Sequence, residues 1–390
     1  KRTTFVHNCF AAPTADQIAT ATALGGFWGR KNERTGGTYF ILLKRVLFIF
    51  IWVTKTLWED LENFMEIGIA KPQLGEEEIT EVSRVIRSGM IACGPETKLF
   101  EEEFAEFVGA RFACAVNNGT AALSLALLAC EIGPGDEVIT TPFTFVATGN
   151  AILSCGATPV FADIDSKTFC LDPSSVEENI STFTKAIMSV DIFGQSADVD
   201  ALNIIAKKHG LKVISDTAQA PGAVYYGEYA GTLADIGGYS LNYHKHIHTG
   251  EGGILVTNSD LYADKLRLIR NHAEAVVETK GDKDLTNMVG YNFRLGEIES
   301  AIGIEQIKKL PSLIKKRQKV AERLTEGLTG LKGLQLPFVE SQCTHVYYSY
   351  PMVIDVKLLN ISKQRIAQAL TAEGIEGVST GYTNIHLLPM

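Results

Sequence analysis

The stretch GYSLNYHKHIHTGEGG, Gly238–Gly253, sets Lys245 among aromatic, apolar and glycine residues rather than among other charges. A lysine is ordinarily a solvated surface group. One sheltered from water has a lowered pKa and becomes a nucleophile toward an aldehyde. Upstream, in VISDTAQA, Asp216 closes an apolar run at the place where α/β sheets bind ligands. A carboxylate there suits a cationic partner such as a protonated pyridine nitrogen, and Gln219 is close enough in sequence to reach an oxygen on the same ring. Further upstream, NNGTAAL (Asn117–Leu123) reads as the end of a strand and the start of a helix. Gly119 there lets the backbone approach a ligand closely, helix N–H groups favour an anion, and Thr120 adds a hydroxyl. Taken separately, these are an ordinary surface lysine, a strand-end aspartate and a helix cap.

The elements that must position these residues follow from periodicity. Strands are expected at Ala113–Val116, Glu137–Thr140, Thr158–Ala162, Ala186–Val190, Lys212–Ser215, Gly238–Leu241 and Gly253–Thr257. Helices are expected at Ala121–Cys130, Ala147–Leu153, Val199–His209 and Leu261–Arg270. Such alternation predicts an α/β fold, a mostly parallel sheet with helices on both faces. Before it, a helix near 76–88 places Ile79, Val82, Val85 and Ile86 on one face. After about 295 the pattern predicts two helices, Gly296–Leu310 and Pro311–Leu328, a strand-like Val346–Ile354 and a helix at Ser362–Glu373, a smaller α+β part.

The chain has 390 residues, enough for more than one domain. Residues 1–58 carry eight Lys/Arg against two acids, a balance of +6 in a chain whose net charge is −9. The acidic remainder argues against nucleic acid as a partner. An apolar run, Tyr39–Val53, is interrupted by Lys44 and Arg45 and is too short for a membrane span. The expected division is an atypical appendage over 1–64, a large domain over 65–310 and a small domain over 311–390. Seven scattered cysteines without a CxxC pair fit reduced thiols in the cytoplasm better than a disulfide framework or a zinc site.

Read in order, NNGTAAL, TPFTFVAT, FADID, DIFGQSAD, SDTAQAPGA, SLNYHKHIHTGEGG, RNHA and GYNFRLGEIESAIG resemble the pyridoxal-5′-phosphate (PLP) dependent nucleotide-sugar aminotransferases of the DegT/StrS type. The resemblance covers 66–390 and implies the aspartate-aminotransferase fold, a three-layer αβα large domain with a smaller C-terminal one. It implies a Schiff base from Lys245 to the cofactor, Asp216 on the pyridine nitrogen and Gln219 on the ring oxygen. Phe145 would stack on the ring, and Gly119, Thr120 and Ser240 would hold the phosphate. Asn292 would reach the phosphate of a second subunit's cofactor, making a homodimer with shared sites. The implied reaction moves an amino group, with L-glutamate as donor, to a keto group on a nucleotide-linked sugar, in amino-sugar and surface polysaccharide biosynthesis.

Three departures from the family pattern stand out. Asn118 occupies a position usually held by Ser, the RNHA segment usually ends in Gly, and the family continues for some tens of residues beyond TGYTNIHLLPM, so the small domain is expected to be truncated. His244, His246 and His248 alternate and would share a face if the segment were extended, but no carboxylate or cysteine is dedicated to them, and no metal is expected. Some relatives carry histidine in place of the lysine and dehydrate the sugar instead. Counted from Ser240, the lysine register falls on Lys245 and misses the histidines, which favours amino transfer over that alternative, and the complete set of Asp216, Gln219, Ser240 and Lys245 favours it over a non-catalytic or truncated relative.

Overall fold

The computed structural model describes residues 71–273, 289–375, 377–381 and 383–389. The appendage expected over 1–64, with its apolar run, lies outside the described residues. Seven strands form one sheet: β1 (Phe112–Val116), β2 (Glu137–Thr140), β3 (Thr158–Phe161), β4 (Thr184–Val190), β5 (Lys212–Asp216), β6 (Ile236–Ser240) and β7 (Gly253–Thr257). Their order is β1-β7-β6-β5-β4-β2-β3. The β6-β5, β5-β4, β4-β2 and β2-β3 pairs are parallel, and β7 is antiparallel to both neighbours.

Both faces of this sheet are covered, and alternation along the strands shows it. Cys114 and Val116 of β1 join Leu255 of β7 in one apolar cluster with Leu123, Leu125 and Leu266. Ala113 and Ala115 join Ile254 and Val256 in another, with Phe100, Phe104 and Leu310. A period of two with apolar residues on both sides is the pattern of a strand buried on two faces. The helices are α1 (Glu76–Ser88), α2 (Pro95–Val108), α3 (Gly119–Ala129), α4 (Val146–Ser154), α5 (Pro173–Glu178), α6 (Val199–His209), α7 (Asp260–Arg270), α8 (Glu297–Leu328), α9 (Val356–Leu359) and α10 (Lys363–Ala372).

Three expectations are corrected. Residues 296–328 do not form two helices: α8 runs unbroken through Pro311. Proline inside a helix costs about 3 kcal/mol. Ile307, Leu310 and Ile314 on either side of it are buried in one cluster, and each is worth about 1.5–3 kcal/mol, so packing outweighs the broken ladder. The strand-like stretch Val346–Ile354 keeps only Val353–Ile354 as strand, because Tyr347 has φ +50 and leaves the extended region. The apolar stripe of α1 is not buried as a face: Val85 is, but Ile79 and Ile86 are 56% and 57% exposed.

A carboxylate takes the place of that stripe in fastening α1. Glu78 is buried and accepts from Lys309 Nζ at 2.6 and 2.8 Å and from Gln306 Nε2 at 2.8 Å, both on α8. A second acid, Glu297 at the start of α8, does the same for α2. Its carboxylate accepts from the backbone N–H groups of Gly94 (2.8 Å), Glu96 (2.8 Å) and Thr97 (2.9 Å) and from the Thr97 hydroxyl (2.9 Å). Helix α2 has no side-chain cap of its own at Gly94, so Glu297 satisfies its orphan donors and meets the positive end of its dipole. Replacing Glu297 by Ala leaves those buried donors without an acceptor. The expected loss is about 2–4 kcal/mol, read as a lower urea midpoint, with Glu297→Gln losing less.

Candidate active site

The C-terminal ends of β2, β4, β5 and β6 share one edge of the sheet, and the functional residues follow them: Phe145 after β2, Gln219 just beyond β5, Asp216 and Ser240 as the last residues of β5 and β6. The antiparallel strand β7 brings in a further turn. Its first residue, Gly253, pairs with Val116 on one side and Ser240 on the other. A Cβ at Gly253 would lie 2.6 Å from the Asn118 carbonyl oxygen, and one at Gly119 would lie 2.8 Å from Ser240 Cβ. Two turns distant in sequence are thus pressed together where neither glycine leaves room for a side chain.

Gly119, Thr120 and Ser240 therefore line one cradle at the N-terminus of α3. Asn118, which stands where Ser is usual, caps that helix: its side-chain oxygen accepts from Ala121 N at 2.8 Å. The larger residue leaves the N–H groups of Gly119 and Thr120 at the first turn, where they and the helix dipole suit a phosphate.

Asp216 is buried, and burial pushes its carboxyl above the usual range. Opposing this are the Thr148 hydroxyl, donating to Oδ2 at 2.8 Å, and Ala218 N, donating to Oδ1 at 3.2 Å. Gln219 is also buried. Its Oε1 accepts from Phe193 N at 2.8 Å, so a ring oxygen would be met by the amide nitrogen, the donor end. Beside them lies a second buried acid, Asp191, which accepts from Thr217 Oγ1 (2.7 Å), Ser215 Oγ (3.0 Å) and Ala197 N (2.9 Å). It thereby holds both residues flanking Asp216. Burial raises Asp191 to about 6, and the nearby Asp216 charge contributes.

Lys245 is partly exposed, yet enough protein surrounds its amine that desolvation lowers the pKa to about 8, against the attraction of Asp216. Its Nζ lies 4.6 Å from the centroid of the Tyr348 ring. The histidines around it sit in an irregular loop rather than on an extended strand, and His246 and His248 are buried. Burial lowers His246 to about 3, so it is neutral, and its Nε2 donates to Val346 O at 2.8 Å. Among the described residues no three His, Cys, Asp or Glu gather as a metal site.

Two named residues stand outside this group. Phe145 is 60% exposed at the N-terminus of α4, with its ring face available to a flat ligand. Asn292 is exposed in an isolated bridge to Asn271, on a segment that flanks the phosphate turn through Asn117 N and Phe293 O (2.9 Å). The RNHA segment differs from the family pattern in a physical way: His272 and Ala273 both have positive φ, +60 and +53, where glycine carries no steric penalty. Sequence reasoning missed Thr148, Asp191 and Tyr348. Thr148 lies in the quoted TPFTFVAT motif, one helical turn after Thr144, and that spacing was its only signal.

An aldehyde-reactive lysine, a buried acid for a ring nitrogen, an amide donor and an anion cradle fit pyridoxal phosphate, and together they define a PLP-dependent enzyme. The chain belongs to the DegT/DnrJ/EryC1/StrS aminotransferase family, whose model matches residues 72–390. It is 38% identical over 326 residues to the spore coat polysaccharide biosynthesis protein SpsC of Bacillus subtilis, covering 82% of this chain and 83% of that protein. It is 35% identical over 331 residues to a GDP-perosamine synthase of Caulobacter vibrioides, covering 84% and 88%. Among solved structures it is similar to PseC of Helicobacter pylori, an aminotransferase involved in pseudoaminic acid biosynthesis, with TM-score 0.76, 33% identity and coverage of 83% and 87%. It is also similar to DesV of S. venezuelae, with TM-score 0.74, 33% identity and coverage of 80% and 82%. The protein is a PLP-dependent aminotransferase.

Replacing Thr148 by Val removes one of the donors to Asp216 while keeping the side chain's shape. The Asp216 carboxyl then rises further, and its ionised form, the one a pyridinium needs, is disfavoured. A hydrogen bond to a charged group is worth about 1.5–3 kcal/mol, so PLP should bind about tenfold more weakly or worse, as measured by fluorescence titration of the cofactor-free protein.

Proposed function

We propose that this enzyme transfers an amino group from an amino acid, L-glutamate, to the keto group of a nucleotide-linked sugar, supplying amino sugars for surface polysaccharide. The observation that carries the reading is the convergence of Lys245, Asp216, Gln219 and the Gly119–Ser240 cradle at one sheet edge. The sugar is argued from the relatives, among them two GDP-perosamine synthases. Lysine, not histidine, follows Ser240 by five residues, which favours amino transfer over sugar dehydration.

When bound, PLP supplies an electron sink for negative charge on the substrate carbon. The residues supply the rest. Asp216, ionised, keeps the proton on the pyridine nitrogen, and the pairing offsets the desolvation it suffers alone. Gln219 would donate to the ring oxygen, the Gly119, Thr120 and Ser240 cradle would hold the phosphate, and Phe145 would cover the ring face. The amine of Lys245, near pKa 8, is available as a base close to neutral pH, so with the cofactor bound Nζ would carry a proton between the substrate carbon and the cofactor's C4′ carbon.

We also propose a homodimer in which Asn292 reaches the partner's cofactor phosphate. The exposed Ile79, Ile86, Met90 and Ile91 support it, as apolar residues from adjoining segments turned to solvent. On the proposed division at 310/311, Arg317 and Tyr348 belong to the small domain, with α8 running across the division. Cytoplasmic location is supported by the described cysteines, all free thiols, with burial raising Cys114 and Cys130 to about 12. Among the described residues no helix is long and apolar enough to cross a membrane.

Loaded with PLP, the protein should show an absorbance band near the visible edge that moves to the near ultraviolet when L-glutamate is added. Lys245→Ala should lose that response and at least about a thousandfold in turnover with a keto-sugar nucleotide. A variant that retained full turnover would sink the assignment.

A further inference from the structure

The segment His345–Tyr350 is irregular, strained and heavily fastened. Tyr347 has φ +50, a conformation that costs a bulky residue of this kind about 1–3 kcal/mol. Such strain persists only where the surroundings over-determine it, and here they do. From the large sheet's loops, Gly194 O accepts from Val346 N at 2.8 Å and Phe193 O from Ser349 N at 3.3 Å. From α8, Arg317 Nη1 donates to Tyr347 O at 3.1 Å, and Gln318 Nε2 to His345 O at 3.1 Å. Within the segment, Tyr347 N donates to His345 Nδ1 at 2.9 Å. From the lysine loop itself, His246 Nε2 donates to Val346 O at 2.8 Å.

Two of these fastenings lead straight to the site. Phe193, whose carbonyl holds Ser349, is also the residue whose N–H fixes Gln219. His246, which holds Val346, is the neighbour of Lys245. Gly194 has φ +116, and a Cβ there would come within 2.9 Å of Tyr347 N and 3.0 Å of Tyr348 N, so the loop and the segment are in backbone contact. The side chain that this framework delivers to the lysine is Tyr348, its ring centroid 4.6 Å from Nζ.

We propose that Tyr348 is a catalytic residue, its ring face holding the amine of Lys245 whenever that amine is not bonded to the cofactor. A ring face attracts a cation through its quadrupole, and more strongly where water is excluded. Tyr348 therefore favours the ammonium form against the desolvation that opposes it. It keeps the protonated Nζ in one place between receiving a proton and returning it, and Arg317 and His246 act by positioning Tyr348. The other charged or titratable groups that face Lys245 are Asp216, which favours its charge, and His244 and His246, both lowered chiefly by burial and further by the Lys245 charge.

The proposal rests on Lys245 being the reacting amine, but its test does not need the reaction. In the full chain freed of cofactor, lysines are reductively methylated with 13C and titrated by NMR, with the Lys245 signal identified by its loss in Lys245→Arg. Tyr348→Leu should lower the Lys245 pKa by about half to one pH unit, while Tyr348→Phe, which keeps the ring, should leave it in place. A Tyr348→Leu protein that folds normally and titrates like the parent overturns the proposal. If that variant does not fold, Arg317→Gln serves instead. It loosens the backbone at Tyr347 without touching the lysine, and it must lower the same pKa; an unchanged titration again overturns the idea. Failure of the aminotransferase assignment would show separately, as turnover surviving Lys245→Ala.

Discussion

Burying a carboxylate without a counter-charge is expensive, and the architecture around Asp216 is organised by that cost. The strand end that carries it is covered on all sides, so its charge must be met by donors or by a ligand. Thr148 and Ala218 N supply two hydrogen bonds, and Asp191 clamps the residues on either side. These donors leave the carboxyl above its ordinary range, and Lys245 attracts its charge from across the site. A protonated ring nitrogen would supply what remains. The same desolvation acts on the lysine in the opposite direction, toward the neutral amine. One buried edge thus prepares an acid that needs a cation and an amine that is ready to react.

The sheet was legible because most of its strands are buried on both faces and read as short apolar runs, and the seven expected runs correspond to its seven strands. Gly119, Thr120, Phe145, Asp216 and Ser240 stood out for a different reason: they lie at strand ends or helix starts, where sequence punctuation is strongest, whereas Gln219, Lys245 and Asn292 lie in loops. What could not be read were contacts between such places. Thr148 reaches Asp216 across 68 residues and His246 reaches Val346 across 100, and nothing local to either partner announces the other. Gly253 belongs to the same category. It reads as one more glycine in a flexible stretch, yet it lets Asn118 and Ser240 flank a single strand end.

The misread helices have a common cause. Proline at 311 and the apolar stripe of α1 were interpreted by local rules, and tertiary forces overrode both. In α8 the burial of Leu310 and Ile314 carries the helix past the proline. In α1 the buried position goes to Glu78, because Lys309 and Gln306 of α8 can satisfy a carboxylate there. Polar anchors specify position more narrowly than apolar contact does, since a displaced carboxylate loses its partners outright.

That choice bears on the proposed dimer. A helix fastened through an acid on its inner side has its apolar residues left for another surface, and Ile79 and Ile86 face outward as a result. Met90 and Ile91, in the loop that follows, extend the same exposed region. The backbone of that loop is tied to the site's own framework, since Ile91 O accepts from Glu297 N at the start of α8. Phe145 is exposed in the same chain, and the contact proposed for it is the flat face of a ligand. Two kinds of outward apolar surface therefore coexist, one at the mouth of the cofactor site and one on α1 and the loop behind it. A partner subunit would cover the second, and Asn292, exposed on each subunit, would reach across to its partner's cofactor phosphate.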